Sequence, residues 1–185
     1  MYLMKPLLIR AAAILLLTAG FASNIPATQP IPLSIETLTL KADLVLQGVI
    51  TSKSVQRDTR GRIYTKISLN IAEVWKGTPP PADFVIVQSG GVLGDEASVV
   101  SGQEQFELGE EIAAFLVMNQ RGEGVVIGIS QGKFKLWNDT TSGEKRASNG
   151  IHGLGNKDAS AQAKSAGPPG LSVAELKQRV RGGAR

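Results

Sequence analysis

The sequence predicts a mainly β protein whose strands close into a small barrel. Residues 62–75 place apolar side chains at every second position over one long run, which is the pattern of a half-buried strand. Similar runs follow between residues 43 and 137, and turn residues separate them. The first two runs are long, and Gly48 interrupts the first, which indicates a bulge or a bend. Long, bent strands are what a small barrel needs in order to close.

The first 22 residues have the features of a secretory signal peptide. Positive side chains flank an apolar run at 11–19, and the small residues Gly20 and Ala22 fit a cleavage site before Ser23. The run is shorter than the roughly 20 residues that a membrane-spanning helix needs, so we expect cleavage, with a retained membrane anchor as the alternative. The mature chain would then be an exported protein, periplasmic or secreted, with no transmembrane span.

Cysteine content and charge narrow the choice of partners. The chain contains no cysteine, so an exported fold must be held by its own core rather than by disulfides. Residues 43–137 carry nine Lys and Arg against eleven Asp and Glu, whereas residues 138–185 carry eight against four. The basic excess therefore lies outside the predicted barrel, and a nucleic-acid partner is not expected. The basic tail would either suit an acidic partner or simply be solvated.

Five or six strands are expected within the barrel domain at 42–137. They lie at 43–55, 62–75, 84–88, 111–118, 124–130 and 133–137. Residues 57–61 would join the first two strands as a hairpin, and residues 121–124 would join the fourth and fifth. Gly132 marks a further tight turn before the last strand.

Other segments flank the barrel on both sides. Residues 23–41 begin as a proline-containing linker and end in a short helix with Ser34 as its N-cap. Residues 138–170 are rich in Gly, Ala, Ser and Lys and are expected to form a flexible, disordered linker. Residues 171–185 contain a capping box that starts at Ser172 and predict a short basic helix. This helix is too short to be stable alone, so it either docks on the barrel or folds on a partner.

A series of short motifs runs along residues 42–137. They are ADLV at 42–45, GRIYT at 61–65, VWKG at 74–77, GG at 90–91, GEE at 109–111 and QGKF at 131–134. In this order they resemble a group of uncharacterised exported bacterial β-proteins, whose architecture is similar to the OB-like barrel of metalloproteinase-inhibitor and netrin-type modules. The resemblance implies a five- to six-stranded OB-like barrel. Tissue metalloproteinase inhibitors bind zinc through an N-terminal cysteine, which this chain lacks, so their mechanism does not carry over.

Residue types needed for catalysis are scarce. His152 is the only histidine and lies in a glycine-rich stretch that we expect to hold an imidazole poorly, so neither a catalytic triad nor a zinc site is expected. Four carboxylates cluster at Glu104, Glu107, Glu110 and Glu111. They allow a carboxylate-dependent hydrolase or a calcium site. The other interpretation is a solvated edge, in which the alternating Phe106 and Leu108 pack inward.

Aromatic and basic residues indicate a binding surface instead. The candidate binding residues are Arg62, Tyr64, Lys133, Lys135, Gly90 and Gly91. Lys133 and Lys135 are expected to share one exposed face of their strand, where they would suit an acidic ligand. The loop at 89–110 would add contacts beside the barrel mouth.

These observations favour an exported, non-enzymatic binding module. Its partner would be a protein or a glycan of the cell envelope or outside the cell, bound by surface complementarity or by strand addition at an open barrel edge. No cofactor or metal is expected. The alternatives are the hydrolase that uses residues 104–111 and a purely structural envelope protein.

Overall fold

The computed structural model describes residues 31–152 and 170–183, so the expected signal peptide lies outside the described residues. The described residues from Pro32 onward belong to one compact unit. It contains two helices, α1 (Ile35–Lys41) and α2 (Val173–Gly183). Its strands are β1 (Leu44–Arg57), β2 (Ile63–Lys76), β3 (Val85–Ser89), β4 (Gly91–Leu93), β5 (Glu96–Ser98), β6 (Glu111–Met118), β7 (Gly124–Val126), β8 (Lys133–Asn138), β9 (Lys145–Ser148) and β10 (Leu171–Ser172). The mainly β class is confirmed. Neither helix in the described part is long and apolar enough to cross a membrane.

The β1–β2 hairpin is the longest feature of the sheet. Its turn is built by Asp58, whose Oδ1 accepts hydrogen bonds from the main-chain N–H groups of Arg60 and Arg62, each at 2.9 Å. The pairing register shifts next to Gly48, as a bulge requires. A Cβ atom at Gly48 would lie 2.8 Å from the Asn70 main-chain oxygen, so glycine allows the two strands to approach each other there.

The pairings among five of the strands form a circuit that begins and ends at β1. β1 pairs with β2 along one edge and with β6 along the other, so the path from β1 through β2, β3, β7 and β6 leads back to β1. These pairs are antiparallel, except that β3 and β7 run parallel and pair only at Ile86 and Gly124. β8, β9 and β10 extend the sheet from β6, and β4 and β5 form a separate small hairpin.

Two hydrophobic clusters lie on opposite faces of the strands. Leu46 of β1 and Leu116 of β6 belong to one cluster, together with buried side chains of β2 and β3. Val45 and Phe115, each one position earlier, belong to the other cluster, which the two helices cover. β6 is therefore buried on both faces, which explains why its sequence is continuously apolar rather than alternating.

Both predicted helices are present. Ser34 Oγ accepts a hydrogen bond from the N–H of Thr37 at 3.1 Å and caps α1. Ser172 Oγ accepts one from the N–H of Glu175 at 3.0 Å, as the capping box predicts. Of the two alternatives for α2, the structure shows docking, because Leu176 and Val180 are fully buried in the cluster that α1 also covers.

Two expectations about the C-terminal half need correction. The strand expected at 124–130 ends at Val126, because Gly128 and Ile129 both have a φ of 65° and leave the extended conformation. The linker expected at 138–170 is structured in part: Lys145–Ser148 is β9, and Ala147 is fully buried against the helix-covered cluster. Low hydrophobicity hid this strand, because Ala147 is its only apolar residue. Residues 153–169 lie outside the described residues.

Candidate functional site

A cleft of about 670 Å³ lies beside the turn of the β1–β2 hairpin. Its volume falls in the range of small-ligand and peptide sites. Its walls come from the ends of β1, β2 and β3, the β4–β5 hairpin, the turn before β7 and the loop after it. The lining includes the predicted residues Arg62, Tyr64 and Gly90, together with Arg57, Arg121, Val126 and Ile129.

Guanidinium groups form the rim of the cleft. Arg62 lies 2.8 Å from Asp58, Arg121 lies 2.9 Å from Glu123, and these arginine side chains are 72% and 62% exposed. Their carboxylate partners are only 15% and 12% exposed. At these two pairs a ligand therefore meets the cation before the acid.

A third ion pair of the cleft has the opposite order. Arg57 lies 2.8 Å from Glu96, and the acid is 66% exposed against 39% for the arginine.

The acids of the rim stay ionised over a wide pH range. A hydrogen bond from the main-chain N–H of Arg62 is the main reason that the pKa of Asp58 lies below its ordinary value. Burial raises the pKa of Glu123, but hydrogen bonds from Asn119 and Arg121, with the charges of Arg121 and Lys66, outweigh that effect and lower it. Arg62 and Arg121 are thus held in place by carboxylates that stay charged.

Tyr64 gives the cleft an aromatic wall. Its hydroxyl donates a hydrogen bond to Gln56 Oε1 at 3.0 Å, and the Arg121 guanidinium lies 5.9 Å from the ring centre. Tyr64 belongs to the start of β2 and Arg121 to the β6–β7 turn, so these two parts of the chain meet at this wall. The sequence indicated Tyr64 but gave no signal for Arg121, whose position depends on the pairing of distant strands.

Ile129 is the most unusual residue of the cleft. It is the only non-glycine residue with positive φ in the described part of the chain, and the N–H of Ser130 donates to the oxygen of Gly128 at 2.7 Å across it. This three-residue turn with a central positive φ is a rare, strained γ-turn, and a β-branched residue fits it poorly. The Ile129 side chain is nevertheless 56% exposed, so no burial compensates for the strain.

Gly90 lines both this cleft and a smaller neighbour of about 350 Å³, whereas Gly91 lines only the smaller one. Thr65 Oγ1 donates a hydrogen bond to the Gly90 oxygen at 2.8 Å, which ties the loop to β2. A Cβ atom at Gly91 would lie 2.7 Å from Val55 Cγ1, so the pair of glycines allows the main chain to cross β1 and β2 closely. Val92 and Val99 are exposed in this loop region.

The expected exposed strip of Lys133 and Lys135 is wrong at Lys133. Lys135 is exposed, but Lys133 is buried and its ammonium forms an ion pair with Glu110 at 2.8 Å. It also donates a hydrogen bond to the main-chain oxygen of Gln105 and lies 5.0 Å from the Phe106 ring centre. The 103–110 loop folds over that face of β8, so only Lys135 stays in solvent. Both lysines line a shallow depression distinct from the cleft.

The carboxylate cluster is divided among separate partners. Glu110 pairs with Lys133, and Glu111 accepts hydrogen bonds from Lys145 at 2.8 Å and from Gln47 at 2.7 Å. Burial raises the pKa of Glu111, and the bonds from Lys145 and Gln47 outweigh this and lower it. Among the described residues, no three His, Asp or Glu side chains converge closely enough to hold a metal ion.

His152 is held more firmly than its glycine-rich surroundings led us to expect. Its Nε2 lies 2.7 Å from the main-chain oxygen of Leu33, and its ring stacks on Phe134 with 5.9 Å between ring centres. Asn149 Oδ1 accepts a hydrogen bond from its main-chain N–H. The ring therefore fastens the segment before α1 to the end of the sheet, which is a structural position away from the cleft.

Neither a scan against models of protein families nor a search of curated proteins finds a match to this chain.

Proposed function

We propose that this protein is an exported, non-enzymatic binding module whose ligand occupies the cleft beside the β1–β2 turn. The observation that carries the proposal is that Arg62 and Tyr64 at the start of β2, Arg121 before β7 and Ile129 after β7 all line that one cleft. Cations, an aromatic ring and an exposed aliphatic side chain together offer contacts to both polar and apolar groups of a protein or a glycan.

The strand order supports an OB-like barrel as the scaffold. The circuit β1-β2-β3-β7-β6 has its one parallel pair between the third and the last strand along the chain, β3 and β7. OB-folds bind oligonucleotides and oligosaccharides on the face of their second and third strands, between the loops that follow the first and fourth strands. Here the corresponding turns are those at Asp58 and Arg121, and the cleft lies between them.

Ion pairing at the carboxylates favours binding over hydrolysis. Glu110 and Glu111 each form an ion pair with a lysine ammonium at 2.8 Å, so both carboxylates are engaged in contacts that fix the structure. Glu104 and Glu107 line the separate depression beside Lys133 and Lys135, and neither lines the cleft. The strained backbone at Ile129 supports a functional role for the cleft independently, because backbone strain tends to persist at sites of function.

The test compares the ligands that three immobilised proteins retain. These are the wild type, the double variant Arg62→Gln/Arg121→Gln, and the control Lys135→Gln, which removes an exposed charge outside the cleft. Each immobilised protein is incubated with cell-envelope proteins, and each protein in solution is applied to an oligosaccharide array. We expect the wild type and the control to retain the same ligand and the double variant to lose it. Equal retention by all three would place binding elsewhere and contradict the proposal.

A further inference from the structure

The cleft lies where the ladder between β3 and β7 stops. The two strands run parallel and pair only at Ile86 and Gly124. Beyond this pair, residues 87–89 of β3 and residues 125–126 of β7 all line the cleft. Two strand edges therefore border the same space, and the pairing that would join them ends after one residue from each strand.

Main-chain groups of β3 point into this space. The N–H of Gly90 donates to the oxygen of Ile63 in β2 at 2.9 Å, and Gln88 pairs with Thr65 two positions earlier. The direction of the main-chain groups alternates along an antiparallel strand, so Gly90 and every second residue before it direct their N–H and C=O groups toward β2. Val87 and Ser89 lie at the positions in between, so their N–H and C=O groups point away from β2, toward β7.

The same alternation applies to β7. The N–H of Ile127 donates to the oxygen of Phe115 in β6 at 3.1 Å, and Val125 pairs with Val117. Val126 lies between these two residues, so its main-chain groups point away from β6, toward β3. Strand edges of this kind are templates on which another extended chain can pair.

We propose that the cleft binds an extended segment of a protein partner, which adds as a strand between β3 and β7. This inference rests on the proposed function and names the ligand class. In strand addition, main-chain hydrogen bonds supply affinity and alternate side-chain pockets supply specificity. A peptide carries main-chain donors and acceptors along its whole length that can pair with the groups of Ser89 and Val126, whereas a glycan has no such repeating row.

The walls of the cleft define the side chains of that segment. Ile129 and Val126 offer apolar contact, while the guanidinium groups of Arg62 and Arg121 are more exposed than the carboxylates that they pair with. Successive side chains of a strand point to opposite faces, so one face of the guest would be apolar and the other would carry carboxylates. The ligand is therefore an extended peptide in which apolar and acidic residues alternate.

The probe is a phage-displayed library of random linear peptides, which is selected for binding to the whole mature protein. In parallel, the protein is applied to an oligosaccharide array. We expect enrichment of peptides with alternating apolar and acidic residues. A synthetic copy of the most enriched peptide should bind about tenfold more weakly when N-methylated at a position that pairs with the cleft, because one hydrogen bond is lost. Methylation of a terminal peptide residue that lies beyond the cleft should change the affinity little, and neither peptide requires a protein variant.

Amide hydrogen exchange gives the direct readout. Binding of the peptide should slow exchange at Ser89 and Val126, and unchanged exchange at both amides would overturn strand addition. Peptides that bind Arg62→Gln/Arg121→Gln as tightly as wild type would overturn the choice of acidic side chains. Oligosaccharide hits without peptide enrichment would overturn this inference and leave the binding module intact, whereas binding of neither class would overturn both.

Discussion

The ammonium of Lys133 lies 2.8 Å from the Glu110 carboxylate, and their side chains are only 4% and 6% exposed. Lys133 belongs to β8, and Glu110 ends the loop that crosses from the small β4–β5 hairpin to β6. Phe106 of this loop lines the cleft and also belongs to the core between the strands. The ion pair therefore fastens a wall of the candidate site to the central sheet.

Removing one partner of this pair should destabilise the protein strongly. Lys133→Met leaves the Glu110 carboxylate buried without its cation, and such changes cost about 3–5 kcal/mol. We expect urea denaturation to show a loss of this size, while Lys135→Met, on the exposed face of the same strand, changes stability by less than about 0.5 kcal/mol. The double variant Lys133→Met/Glu110→Gln should lose less than the sum of the single variants. Additive losses would show that the pair is not coupled.

The strain at Ile129 should be measurable as stability. Ile129→Gly removes about 1–3 kcal/mol of backbone strain and adds about 0.5–1 kcal/mol of chain entropy to the unfolded state, so we expect a net gain. A gain of about 1 kcal/mol raises the melting temperature by about 2–4 °C in a protein of this size. Ile129→Ala is the control, because it also removes the exposed side chain but keeps the Cβ atom. If both variants had the same melting temperature, the strained turn would be the wrong explanation.

Acid should weaken the contact between the two helices. Hydrogen bonds from Arg179 lower the pKa of Glu36 from 4.5 to about 2, so the pair contributes its full stability above pH 4.5 and loses it as the pH falls toward 2. Both side chains are largely solvated, so the contribution is about 0.2–1 kcal/mol. Denaturation of wild type and Glu36→Gln should differ by this amount at pH 6 and converge near pH 2. A difference that stays constant across this range would contradict the assignment.

The approach of β1 and β2 at Gly48 should not tolerate a methyl group. A Cβ atom there would lie 2.8 Å from a main-chain oxygen that cannot rotate away, so Gly48→Ala should lower stability by about 1–3 kcal/mol. At Gly150 an added Cβ would meet nothing within 4 Å, and Gly150→Ala should be neutral within about 0.5 kcal/mol. Thermal melts of both variants check the difference. Equal stability of the two variants would mean that the strands separate readily at Gly48.

Local patterns predicted the long strands, the bulge near Gly48 and both helix caps. They missed β4, β5, β9 and β10, because strands of two to four residues are too short to show a period that distinguishes them from loops. The burial of Lys133 was also missed. Alternation assigned it correctly to the face opposite Phe134, but nothing local shows that a distant loop covers that face.

The candidate site was predictable only in part. Arg62, Tyr64 and Gly90 were identified from their position at strand ends, and all three line the cleft. Arg121 joins them only because β7 pairs with β6 and runs beside β3, which is a long-range property of the fold. Ile129 was predicted to continue a strand, and its strained conformation is set by the turn that Gly128 begins.

The measurement that tests the central claim most directly is amide hydrogen exchange across the whole chain, with and without the ligand that the immobilised protein retains. We predict slower exchange in residues 57–64, 87–90 and 121–129, because these segments border the cleft. Protection confined to residues 104–111 and 133–135, or chemical conversion of the ligand with no protection at the cleft, would contradict a binding module built on this site.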